Sequence, residues 1–96
     1  MYWTDVGGKN RGDIEFYALS TCGWCAKTKK LLDELGVRYK YVYVDLLFAW
    51  EQQQVLHVME QWNPHRSFPT VVINGEVSVV GYKPDEIKEA LKLGRE

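Results

Sequence analysis

The sequence predicts one α/β domain with elements in the order β-α-β-α-β-β-α, a four-stranded mixed sheet flanked by helices. Three observations lead there. Short β-branched and aromatic runs alternate with segments whose apolar residues recur at helical spacing. The last two strand-like runs flank Asn74-Gly75-Glu76, and Asn-Gly between such runs is the strongest short-range hairpin signal. A chain of 96 residues can enclose only one core.

Residues 1–13 hold three glycines and no sustained period, so they are expected to form an irregular lead-in to a domain spanning 14–96. The run Ile14 to Leu19 is short, aromatic and β-branched, as suits a buried strand that delivers the chain to the cysteines. From Trp24 onward, Thr28, Leu31, Leu32 and Leu35 share one helical face, opposite Lys27, Lys30, Asp33 and Glu34, and Gly36 is the stop. The stretch "RYKYVYVD" sets Tyr39, Tyr41 and Tyr43 against Lys40, Val42 and Val44 and reads as the second strand. It lies parallel to the first because a helix separates them. A second helix carries Phe48, Val55, Met59 and Trp62 as its apolar positions and ends at Asn63-Pro64. "TVVI" and "VSVV" form the antiparallel pair. "KPDEIKEALKLG" then places Pro84 near a helix start, Asp85 and Glu86 in its first turn, and Ile87, Ala90 and Leu91 on its buried side.

Composition excludes some functions. The net charge of −1 supplies no field for nucleic acid or an anionic membrane, and no apolar run approaches the roughly 20 residues that cross a bilayer. The opening "MYWTDVGGKNRGD" is polar and glycine-rich, unlike a secretory signal, so a cytoplasmic location is expected. Lys27, Lys29 and Lys30 follow the cysteine pair, as helix lysines facing water would.

Both cysteines of the chain, Cys22 and Cys25, fall within "STCGWC". A structural disulfide between them would close a tiny loop and gain little from chain entropy. A zinc site needs four ligands, and His57 and His65 match no zinc-finger spacing. A redox pair needs a thiolate at working pH and a second thiol one helical turn away. Cys22 at a helix N-terminus meets the first condition through unpaired N–H groups and the macrodipole, and Cys25, inside the first turn, meets the second. Cys22 is therefore the expected nucleophile and Cys25 the resolving thiol. A C-x-x-C beside a βαβ pattern is itself a thioredoxin-like signal.

On four segments the chain resembles the glutaredoxin branch of the thioredoxin superfamily, from about Ile14 to Leu93: "FYALSTCGWC", "RSFPTVVING", "VVGYKPDEI" and the order of elements. The resemblance implies a thioredoxin fold and dithiol oxidoreductase activity on protein or small-molecule disulfides. It also implies a cis Phe68-Pro69 bond facing the cysteines, with the Phe68 backbone free to pair with substrate like an added strand. Gly81 and Tyr82 would border the same groove, and Trp24 would face substrate.

Departures from the family pattern bear on the electron donor. Leu19 stands where glutathione-using members carry lysine, and Val80-Gly81 replaces paired glycines. Both ends of glutathione would lose partners, leaving Lys27, Arg66 and Lys83 as substitutes. "GYKPDEI" is similar to redoxins that feed ribonucleotide reductase and are recharged by thioredoxin reductase. Similar archaeal proteins use another small thiol such as coenzyme M. Gly23 replaces the usual proline, and relatives lacking it can hold a [2Fe-2S] cluster between two subunits, which is the alternative function. A monomer with no resident cofactor or metal is expected for the dithiol enzyme.

Overall fold

The computed structural model describes residues 2–93, so the last three residues of the expected domain lie outside the described part. Its elements are β1 (Thr4–Val6), β2 (Ile14–Ala18), α1 (Gly23–Leu35), β3 (Tyr39–Tyr43), a 3-10 turn (Val44–Leu46), α2 (Ala49–Met59), β4 (Thr70–Ile73), β5 (Val77–Val80) and α3 (Pro84–Leu93). The α/β thioredoxin-fold expectation holds, with one more strand than expected. The sheet is five-stranded in the order β1-β3-β2-β4-β5. Only β2 and β3 run parallel; the other neighbours are antiparallel.

The extra strand corrects the irregular lead-in expected over 1–13. Thr4 pairs with Tyr41 and Val6 with Tyr39, and a parallel bridge joins Lys9 to Val37. Three residues show no period of their own, and a partner more than thirty positions away leaves no local signal.

Helices cover both faces of the sheet, which is why its central strands read as near-continuous apolar runs. Phe16, Ala18, Tyr39, Val71 and Ile73 meet Leu31 and Leu32 of α1 and Ile87 and Leu91 of α3 on one face. On the other, Tyr17, Val42, Val44 and Val72 meet Val55 and Met59 of α2. The alternation in β3 thus sorts residues between two buried faces. Leu32 is wholly buried, and truncating such a side chain to alanine costs about 2–5 kcal/mol.

Local chemistry sets the ends of the elements. α1 stops where Gly36 takes φ 68° and its N–H bonds to the Asp33 carbonyl. The hairpin turns through Asn74 at φ 56° and Gly75 at φ 60°, the paired left-handed conformation of a type I′ turn. In α2 the Glu51 carboxylate accepts the Phe48 N–H at 3.1 Å. The sequence placed Phe48 and Trp62 on the packed face of this helix. Phe48 instead caps the N-terminus and is exposed, and Trp62 lies past the helix in the turn that follows it.

Candidate active site

β2 ends at Ala18 and the chain turns through Leu19, Ser20 and Thr21 into α1. Cys22 is the N-cap of that helix, extended at φ −95° and ψ 117°. Its sulfur does the work usually done by a Ser or Asp oxygen, accepting the backbone N–H of Cys25 at 3.1 Å. Cys22 is half-buried, Cys25 is buried, and both are free thiols. Burial, followed by the hydrogen bond with Cys22, pushes the Cys25 thiol up to about 12. Cys25 is thus held protonated beside an accessible sulfur that receives a donor, the asymmetry a nucleophile and a resolving thiol require.

The loop ahead of the cysteines is tied down from the 3-10 turn that follows β3. Asp45 accepts the Ser20 N–H at 2.8 Å and also the Ser20 hydroxyl, and these two bonds hold its carboxyl below the usual carboxylate range. Sequence reasoning did not find this pair. Only the parallel alignment of β2 and β3, with Ala18 opposite Tyr43, brings the residues that follow the two strands together.

The remaining expected site residues fall into two groups. Trp24 is 58% exposed and stacks on Tyr82, with centroids 5.8 Å apart and planes 25° apart, while the Lys27 ammonium lies 4.7 Å from the Trp24 ring centroid. Tyr82 follows Gly81, whose φ of 89° makes the bend and whose N–H bonds to the Pro69 carbonyl at 2.8 Å. Phe68-Pro69 is cis, and Phe68 lies ahead of the β4 ladder, which starts at Thr70. Cys22, Phe68 and Tyr82 all pack against the core cluster that contains Cys25. Arg66 is otherwise engaged, its guanidinium 2.6 Å from the Glu60 carboxylate. Lys83 lies 3.9 Å from Glu86.

Asn63 organises the approach to Pro69. It is buried, its amide donates to the Ser67 carbonyl and hydroxyl and to the Thr70 hydroxyl, and its oxygen accepts the His65 N–H. Among the described residues no group of three or more His, Cys, Asp or Glu side chains could hold a metal ion.

Residues 14–78 match the family model described as glutaredoxin. The chain belongs to the glutaredoxin family. This glutaredoxin is 32% identical over 63 residues to a glutaredoxin of Ricinus communis, a match covering 66% of the chain and 60% of that protein. It therefore spans about three fifths of that relative. Among solved structures it is similar to the glutaredoxin from Methanosarcina mazei Go1, with TM-score 0.87, 47% identity, and coverage of 95% of this chain and 88% of that one. It is also similar to Methanosarcina acetivorans methanoredoxin, with TM-score 0.85, 50% identity and 88% of each chain covered. Glutaredoxin homologues are thiol–disulfide oxidoreductases. No helix among the described residues of this glutaredoxin is long and apolar enough to cross a membrane.

Proposed function

We propose that this glutaredoxin reduces disulfides through its Cys22/Cys25 pair, and the observation that carries this is the backbone N–H of Cys25, whose own thiol is buried, donating to Cys22 Sγ. The Cys22 thiolate attacks one sulfur of the substrate disulfide. A mixed disulfide forms and the other substrate sulfur leaves as a thiolate, taking a proton from solvent. Cys25 then attacks Cys22 Sγ, the Cys22–substrate S–S bond breaks as the Cys22–Cys25 disulfide forms, and the proton Cys25 loses goes to the departing substrate sulfur, directly or through solvent. Trp24, Tyr82, Gly81 and the Phe68-Pro69 backbone form the docking surface. A protein disulfide suits it, because Leu46, Phe48 and Trp50 follow Asp45 as further exposed apolar residues. The reaction belongs in a reducing cytoplasm, with the enzyme acting as a monomer.

The donor that restores the dithiol is a small thiol with a single anionic group, of which coenzyme M is an example, or a thioredoxin reductase. Glutathione presents two carboxylates. Leu19 offers no charge for them, and Arg66 is held by Glu60, so Lys27 on the Trp24 ring is the cation best placed for one anion. The test is steady-state reduction of a model disulfide with coenzyme M, with glutathione plus its reductase, and with NADPH plus thioredoxin reductase. Saturable turnover with coenzyme M or the reductase, and at least about tenfold lower kcat/KM with glutathione, is expected for the loss of one charge-assisted contact. Equal turnover with glutathione, abolished by Lys27→Ala, would overturn the donor assignment.

A further inference from the structure

A cavity of about 740 Å3 opens on the α2 face of the sheet, and neither cysteine lines it. Its volume is in the range of small-molecule sites, about 300–1,000 Å3. Trp3 and Tyr17 meet edge to face at 5.2 Å as its aromatic wall, and Val55 and Val58 of α2 line it as well.

Tyr17 supplies the second observation. Its side chain is 1% exposed, and no side-chain hydrogen bond between described residues involves its hydroxyl. Yet no wholly buried side-chain polar atom there lacks a partner. Tyr17 is part of the cavity wall, and a phenol hydroxyl there calls for an acceptor. Burial, then the Glu15 carboxylate, pushes the phenol up to about 12, so at neutral pH it is an O–H donor.

The charges on the wall are unequal. Lys40 is matched within the protein, 3.3 Å from Glu15 and 5.1 Å from the Trp3 ring centroid. Asp5, also in the wall, has no ion-pair partner among the described residues. With His57 counted neutral, two carboxylates thus face one ammonium, and the unmatched charge is negative.

We propose that this cavity is a second, non-catalytic ligand site for a small aromatic amine bearing a ring hydroxyl or carbonyl. Its ring lies against Trp3, Tyr17, Val55 and Val58, its ammonium faces Asp5, and its ring oxygen accepts the Tyr17 hydroxyl.

Tyramine is the probe, 3-(4-hydroxyphenyl)propionate the charge-reversed control and phenethylamine the control lacking the ring oxygen, each titrated into the reduced full chain and followed by amide NMR. Tyramine should saturate with shifts at Trp3, Tyr17, Val55 and Val58 and bind at least about tenfold tighter than the propionate. Asp5→Asn should erase that preference. Tyr17→Phe should weaken tyramine roughly three- to tenfold, to the level of phenethylamine. If Tyr17→Phe fails to fold, the tyramine-to-phenethylamine ratio on the unmutated chain reads the same contact. Equal binding of amine and propionate, shifts centred on Trp24 and Tyr82, or no saturation up to about 10 mM tyramine would each overturn the proposal.

Discussion

Trp24, in the first turn of α1, lies in stacking contact with Tyr82, just ahead of α3, so an exposed indole beside the cysteines is braced by a residue 58 positions away. Trp24→Ala removes the stack and the ring under Lys27. Offset aromatic contacts contribute about 0.5–1.5 kcal/mol each beyond area. The expected result is a KM for a protein disulfide raised roughly three- to tenfold with little change in kcat, measured by insulin reduction with dithiothreitol as donor. Tyr82→Ala should shift KM in the same direction. An unchanged KM in both variants would remove the stack from the docking surface.

The two thiols should differ sharply in reactivity. Burial raises the Cys25 thiol to about 12, so it stays neutral at pH 7, and its side chain is inaccessible as well. Iodoacetamide at neutral pH should label Cys22 alone, as read by mass spectrometry of the reduced protein. Cys22→Ser should abolish turnover, and Cys25→Ser should accumulate the mixed disulfide with substrate.

Gly23 leaves room for a proline. It is the first helical residue of α1, the position proline favours, and a Cβ placed there meets nothing within 4 Å. Cys22 already has the extended backbone that a residue before proline must adopt. Gly23→Pro should therefore stabilise the fold by about 0.4–1 kcal/mol, mainly by restricting the unfolded chain. A chain of this size should show a Tm higher by about 2–8 °C in calorimetry.

Asp45 holds the loop ahead of Cys22 through Ser20. Asp45→Ala frees the Ser20 N–H and hydroxyl. Since Asp45 is solvent-exposed, the stability loss should be modest, about 1 kcal/mol. The looser loop should lower kcat/KM several-fold, and Asp45→Asn, which keeps one acceptor oxygen, should recover part of it. A Tm loss with unchanged kcat/KM would make the pair purely structural.

Alkaline pH should unfold this protein early. Cys25 rises from about 9 in the unfolded chain to about 12, and Tyr17 from about 10 to about 12, both chiefly through burial. The Tyr39 phenol is raised too, by burial and by its 2.6 Å bond to Asp33. A raised pKa means that the unfolded chain loses protons first. Stability is therefore full below about pH 9 and is lost between about pH 9 and 12. Urea midpoints between pH 7 and 11 should fall, and Tyr39→Phe should flatten the decline.

The sequence by itself determined the cysteine motif and most of the frame. Cysteines three apart at a strand-to-helix junction, a helical stripe at Thr28, Leu31 and Leu32, and Asn74-Gly75 between β-branched runs are local patterns, and local backbone preference and burial period act on them directly. Tertiary structure alone decided what those patterns meet. The strand Thr4–Val6 exists because the edge of β3 accepts it. Arg66 turns to Glu60, Ser20 to Asp45 and Trp24 to Tyr82 because packed elements bring their ends within hydrogen-bond or van der Waals reach. Phe48 is apolar, yet it falls at the helix cap and stays in water, since hydrophobic period marks a face only within a helix and not at its boundary. Side-chain partners depend on distances across the fold, and no spacing along the chain encodes those.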